Sequence, residues 1–190
     1  MKQNWKPGNL LYPLPAIMLS CAAEGKKPNI ITLAWVGTVC SEPPMVSVSI
    51  RKNRYSYDLV KQSGELVINL VPASLCRAMD WCGVRSGAEY DKFAELGLHA
   101  DPAPNLQTAP LIRESPVNIE CRVEQVLELG SHDMFVARII GVQVEESLLD
   151  ENGRLDLGKA DLVVYSHGEY SHIGKTIGSF GYSVKKKKHT

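Results

Sequence analysis

At 190 residues the chain can bury a sizeable core and suits a single domain, 1–190. Its 21 Lys+Arg balance 21 Asp+Glu, which excludes the basic excess of a dedicated nucleic-acid binder and leaves a near-neutral surface prone to self-association. Hydrophobic residues make up 44%, ordinary for a globular protein, and no stretch reaches the roughly 18 apolar residues of a membrane span.

Residues 10–23 are apolar, but Pro13 and Pro15 interrupt them and no basic leader adjoins them. A buried first strand over residues 16–22 is therefore expected in place of a secretion signal, with a cytoplasmic setting. Glu24-Gly25-Lys26-Lys27-Pro28-Asn29 forms a polar turn, and residues 30–39 carry high β propensity, so the two strands make a hairpin. Ser41-Glu42-Pro43-Pro44 breaks the chain, because proline has no N–H to give a ladder. Residues 45–50 alternate, with Val46, Val48 and Ile50 on one face and Ser47 and Ser49 on the other. The apolar face should pack a barrel, and the hydroxyl face is free for a ligand.

Residues 56–63 read as a helix, with Ser56 as candidate N-cap and a stop at Gly64. Residues 65–70 return as a strand, and 74–83 form a second helix capped by Ser74. Residues 100–116 hold Pro102, Pro104, Pro110 and Pro116 and read as a long surface connection. Residues 117–129 and 134–145 are long alternating strands joined by the turn Gly130-Ser131-His132-Asp133. Asp150-Glu151-Asn152-Gly153 is another turn. Residues 162–165 make a last strand before a Gly-rich tail, basic over about 183–190 and read as solvated. Six or more mainly antiparallel strands with short helices favour a closed barrel, since closure removes strand edges.

Several motifs are incomplete or absent. Gly174-Lys175-Thr176 resembles the end of a P-loop, but Glu169 stands where the motif needs glycine. No GxGxxG, HExxH or GxSxG occurs, and the five histidines lack ligand spacing, so no metal site is expected. The five cysteines form no CxxC pair and read as small core residues, a dithiol of Cys76 and Cys82 being the minority alternative.

The informative region is 29–69. Thr32, Thr38, Ser47 and Ser49 stud its strands, which lead into the cationic corner Arg51-Lys52-Asn53-Arg54-Tyr55-Ser56 and a helix start. Cations, hydroxyls and free helix-start N–H groups are what a phosphate needs. The strand with Trp35 offers hydroxyls, amides and an aromatic surface to a flat polar ring. Flavin mononucleotide combines both parts. Taken singly, the corner also fits an exposed basic turn, and Thr and Trp are also ordinary strand formers.

The order of these motifs resembles the flavin reductase-like family of FMN-binding split β-barrels, in its flavoredoxin branch. The match runs from about Leu10 to Tyr182. It includes Asn29, Thr32 and Trp35, the Glu42-Pro43-Pro44 turn, and Arg51 with Tyr55-Ser56. Gly64-Glu65 with Val67-Ile68-Asn69, Ser86-Gly87 before Asp91-Lys92-Phe93, and Gly130-Ser131-His132 continue it, Ser131 replacing the family's aspartate. The resemblance implies a homodimer with FMN near the subunit interface. It implies a ring beside Thr32, Leu33, Ala34, Trp35 and Thr38. The phosphate would lie at Ser49, Ile50, Arg51, Lys52, Arg54, Tyr55 and Ser56, with Lys92 as a further contact. His132 would stand on the nicotinamide side. Electrons or hydride would pass from NAD(P)H or a redox protein through FMN to a small-molecule or protein acceptor. A pure electron carrier is the alternative, and a barrel binding another ligand without redox chemistry is a third.

Overall fold

A computed structural model describes residues 1–184; the Lys185–Lys188 run lies outside the described residues. The strands are β1 (Leu14–Pro15), β2 (Ile17–Cys21), β3 (Asn29–Leu33), β4 (Val36–Cys40), β5 (Met45–Arg51), β6 (Glu65–Leu70), β7 (Ala100–Asp101), β8 (Leu111–Ile112), β9 (Val117–Leu129), β10 (His132–Val144), β11 (Val163–Ser166) and β12 (Glu169–His172). The helices are α1 (Tyr55–Ser63), α2 (Cys76–Val84) and α3 (Lys92–Leu96).

Seven strands form one antiparallel sheet in the order β3-β2-β6-β9-β10-β5-β4. β3 and β4 stand at its opposite edges, yet only Ala34 and Trp35 separate them in the chain. Laid flat, six strand spacings of ~4.8 Å would hold those edges about 29 Å apart, far beyond the ~11 Å that three Cα steps can reach. The sheet therefore curls until its edges meet, and the split β-barrel is the result. This corrects the expectation of one strand over 30–39. The chain breaks at Ala34-Trp35 because it must cross from the β2 edge to the β5 edge there.

The alternation on β5 is as expected, with Val46, Val48 and Ile50 inside the barrel and Ser47 and Ser49 outside. Ile17, Leu19, Leu66, Ile68 and Phe135 fill the same interior, and α1 plugs it with Tyr57, Leu59 and Val60. Each fully buried aliphatic or aromatic side chain there contributes about 1.5–3 kcal/mol. β2 is buried along its whole length because its other face packs too. Met18 joins Ile30, Met79, Cys82 and Phe93 beneath α2 and α3. All five cysteines are free, and burial pushes the thiols of Cys21 and Cys121 up to about 12 and that of Cys82 up to about 11.

Other boundaries differ from expectation. α1 begins at Tyr55 with Arg54 at the N-cap and no side-chain cap; Ser56 lies inside the first turn. Gly64 ends the helix in the left-handed region at φ 69°, a conformation that costs glycine little. Ser74 sits within a single 3-10 turn, Ala73–Leu75, and caps nothing. The β9–β10 turn is only Gly130-Ser131, so His132 is a strand residue paired with Leu129 and Arg51. β12 pairs with β11 in a three-stranded sheet β1-β11-β12, beyond the last strand expected.

The 100–116 connection is fastened more firmly than its prolines suggest. Glu120, fully buried on β9, accepts from the Asn105 amide at 2.7 Å and Gln143 Nε2 at 2.9 Å. Glu65 on β6 accepts from the Thr108 amide at 2.8 Å, its hydroxyl at 2.9 Å and the Gln107 amide at 3.0 Å. Buried Asn69 accepts from the Ile112 amide at 3.0 Å and donates to the Met18 carbonyl at 3.0 Å. The connection thus covers the outer face of β6 and β9, and carries the two-residue ladder β7–β8.

Candidate functional site

The break at Ala34-Trp35 opens a cleft of about 270 Å³ on the outside of the barrel. β3 and the crossover give it Thr32, Leu33, Ala34 and Trp35, β5 gives Ser49 and Arg51, and β10 gives His132. These were all expected at the site. Thr32 Oγ1 donates to the Met79 carbonyl, fastening β3 to α2 behind the cleft. The Ser49 amide donates to the Trp35 carbonyl at 2.9 Å, holding the crossover against β5. Trp35 and His132 lie parallel, with 6.3 Å between ring centroids and 4° between planes. His132 Nδ1 is 2.9 Å from Ser131 Oγ, and burial followed by the nearby Arg51 charge pulls its pKa below the usual histidine range.

Ile31, Arg54 and Gly83 line this cleft and also a narrow niche of about 40 Å³, so the two adjoin. The niche lies at the start of α1 and is lined by Arg54, Tyr55, Ser56 and Lys92, again as expected. Lys92 is 2% exposed, and Nζ donates to the Ile30 carbonyl at 2.6 Å and the Cys82 carbonyl at 2.7 Å. An ammonium has three N–H groups, so one is left for the niche. Burial pulls its pKa down. Ser56 is held by Asn29 Nδ2, which donates to its hydroxyl at 2.8 Å. Among the described residues no carboxylate pairs with Arg51, Arg54 or Lys92.

Three expected residues stand elsewhere. Ile50 is fully buried in the barrel interior, because the register that gives Ser49 and Arg51 to the cleft turns Ile50 inward. Lys52 points the other way, to Asp133 at 3.3 Å and Glu128 at 3.7 Å. Asp133 is itself buried and accepts from Tyr57 Oη at 2.6 Å, so Lys52 serves a hairpin ion pair rather than the cleft. Thr38 is exposed on β4, which has left the cleft along the β5 edge by that point.

No motif or spacing pointed to the opposite wall. Asp80 and Gly83 come from α2, and Tyr165 and Tyr170 from the small sheet. Tyr170 Oη donates to Asp80 Oδ1 at 3.1 Å across the mouth. In the niche, Asn53, Arg85 and Ser86-Gly87 were also missed as site residues. Asn29 and Ser86-Gly87 carried a signal, as parts of the motifs that gave the resemblance. At Gly87 an added Cβ would lie 2.2 Å from Asn29 Oδ1, so only glycine lets that loop close over the niche.

Residues 10–174 match the family model of the flavin reductase like domain. The structure superposes on flavoredoxin of Desulfovibrio vulgaris (Miyazaki F) with a TM-score of 0.90, at 33% identity over 97% of this chain and 100% of that one. Flavoredoxin from Methanosarcina acetivorans gives 0.88 at 29% identity, with the same coverage of both chains. The reductase component of the 4-nitrophenol 4-monooxygenase/4-nitrocatechol 2-monooxygenase of Rhodococcus opacus is 28% identical over 160 residues, 83% of this chain and 74% of that protein.

Proposed function

The chain belongs to the flavin reductase-like family, and from that premise we propose that it is an FMN-binding flavoprotein passing reducing equivalents from NAD(P)H or a redox protein to an acceptor. One observation carries the reading: a cleft with an aromatic wall adjoins a cationic niche at a helix start, with Ile31, Arg54 and Gly83 lining both. That is the shape and charge of a flat ring joined to a phosphate. The residues present fit the group. Among the described residues no carboxylate pairs with the buried Lys92 ammonium, and a side chain at Gly87 would collide with Asn29, which holds Ser56.

When bound, FMN supplies hydride and single-electron chemistry. The protein's part is position and charge. Lys92, Arg54 and Ser56, with the first amides of α1, would hold the phosphate. Thr32 to Trp35 and Ser49 would hold the ring edge through amides and hydroxyls, and Arg51 would favour negative charge on that edge. His132, backed by Ser131, would face the nicotinamide of the donor. The protein would act in the cytoplasm as one domain and as a homodimer whose interface completes the cleft. Two-fold pairing is the commonest closed assembly, and Trp5 and Leu11 stand exposed on the N-terminal arm.

Titrating the purified protein with FMN and riboflavin tests the reading. FMN should bind at about one per chain and more tightly than riboflavin, whereas equal affinities would remove the phosphate niche from it. Anaerobic NADH and NADPH then separate a reductase from a carrier. Fast bleaching of the flavin band marks a reductase. A flavin that only photoreduction or a protein donor reduces marks the carrier, the reading that the likeness to two flavoredoxins favours.

A further inference from the structure

Asp133 is fully buried on β10, next in the chain to His132 and on the same strand face as the interior residue Phe135. Its Oδ2 accepts from Tyr57 Oη at 2.6 Å, whereas its Oδ1 makes no well-aligned hydrogen bond and has the half-exposed Lys52 ammonium at 3.3 Å. Glu65 and Glu120, buried on the β6–β9 face, each collect three hydrogen-bond donors. A carboxylate served as sparsely as Asp133 adds little to stability, because losing its water offsets most of the attraction to one cation. Its contribution is direction.

Both partners of Asp133 belong to the corner beside the niche. Lys52 follows the last residue of β5, and Tyr57 lies in the first turn of α1. Within the corner, the Arg54 amide donates to the Arg51 carbonyl at 3.0 Å and the Tyr57 amide to the Arg54 carbonyl at 2.8 Å. These bonds shape the corner from inside and leave its placement on the barrel to longer ties. On the niche side, Asn29 Nδ2 donates to the Ser56 hydroxyl at 2.8 Å. On the barrel side, Asp133 takes Tyr57 and Lys52 together. The Tyr57 hydroxyl also accepts from Lys61 Nζ at 3.4 Å, which polarises its O–H toward Asp133. The Tyr57 ring packs edge-on against Phe135, with 5.6 Å between centroids. His132 pairs with Arg51 across the sheet, so consecutive residues of β10 serve the cleft and the corner.

We propose that Asp133 is a positioning residue for phosphate recognition: through Tyr57 and Lys52 it fixes where Arg54, Ser56 and the first amides of α1 stand. It lines neither the cleft nor the niche, so it acts on a ligand only through the corner. This rests on the flavin reading above. Losing Asp133 should therefore weaken FMN, which carries the phosphate, and spare riboflavin, which has the same ring without it.

The experiment is titration of the flavin-free protein with FMN and with riboflavin, in about 0.15 M salt to screen exposed charges, for the wild type, Asp133→Ala, Tyr57→Phe and the double variant. Asp133→Ala should lower the ratio of FMN to riboflavin affinity by about tenfold, the scale of one misaligned bond to a charged group. Tyr57→Phe removes only the hydroxyl and keeps the ring on Phe135, and it should lower the ratio by about three- to tenfold. The double variant should be no worse than Asp133→Ala, because both changes cut one tie; losses that add would overturn the proposal. A ratio unchanged in Tyr57→Phe, or both flavins weakened equally, would leave Asp133 a structural residue and overturn it. A ratio that rises in Asp133→Ala would do the same, since Asp133 would then only keep Lys52 from the phosphate. Should Asp133→Ala fail to fold, Tyr57→Phe decides alone. A wild type that binds FMN and riboflavin alike would remove the niche, and this proposal with it.

Discussion

The outer face of β6 and β9 and the cleft beside β3 and β5 both bury charged side chains against the same barrel. Their charges are treated in opposite ways. On the β6–β9 face, the carboxylates of Glu65 and Glu120 are surrounded by amide and hydroxyl donors from the connection laid over them. At the niche, Lys92 is taken out of water with two carbonyl acceptors but no carboxylate, and Arg54 stands beside it. Buried polar groups that are fully satisfied specify structure. A buried cation that meets no carboxylate, with an exposed cation beside it, points to an anion that arrives from outside. The first face is scaffold and the second is site, although both read as polar residues in strands and loops.

The largest effect should come from breaking the scaffold side. Glu120→Ala leaves the Asn105 amide and Gln143 without their acceptor and should cost about 3 kcal/mol, the scale of lost bonds to a buried charge. Urea unfolding measures it, and the FMN affinity of the molecules that remain folded should be unchanged. A variant that melts like the wild type would show that the connection is held by its apolar contacts alone.

The site side should respond in reverse. Arg54→Ala should weaken FMN by roughly 1–3 kcal/mol while the melting temperature stays within a degree or two, since this side chain is exposed. Arg51→Ala should behave similarly. Ser56→Ala sharpens the contrast, because Ser56 also accepts from Asn29 and is 1% exposed. It should lose both affinity and stability. Loss of stability in Arg54→Ala would dissolve the distinction between the two regions.

Acid should loosen the scaffold before it alters the barrel interior. Burial alone would raise the pKa of Glu65, but the backbone and hydroxyl donors of Thr108 and the Gln107 amide overcome this and hold it below the ordinary carboxylate range. A carboxylate depressed in the folded state adds stability above its unfolded pKa of about 4.3, and this is lost as pH falls through the depressed value. Melting temperatures measured from pH 6 to pH 3 should therefore fall more steeply in the wild type than in Glu65→Gln. Parallel curves would mean that Glu65 titrates alike in both states.

The smallest effect is expected at the rim of the cleft. His132→Ala should raise the KM for NAD(P)H or slow flavin reduction, with FMN affinity close to wild type. Stopped-flow reduction reads this, with dithionite reduction as the control for an intact flavin. Unchanged kinetics would leave His132 as the partner of Trp35 and nothing more.

Much of the site was legible because it is local. Thr32 to Trp35, Ser49, Arg51 and Arg54 to Ser56 fall on consecutive turns and strands whose propensity and charge are visible in order. Lys92 was reached only through its motif, since nothing local says that a lysine at a helix start is buried. Asp80, Tyr165 and Tyr170 were invisible, because two elements distant in the chain meet only across the cleft.

By itself the sequence determined what repeats at short range: the period-two faces of β5, the stop at Gly64, and the cationic corner before α1. Tertiary structure decided what depends on closure. The sheet had to bring its two edges together at Ala34-Trp35, and that crossover opened the cleft. It also decided which polar residues were spoken for. Lys52 and Arg54 look alike in the chain, but Asp133 takes Lys52 at the hairpin, while Arg54 lines the niche and, among the described residues, meets no carboxylate. Charge is written in the sequence, but the partner that neutralises it is chosen by distance in space.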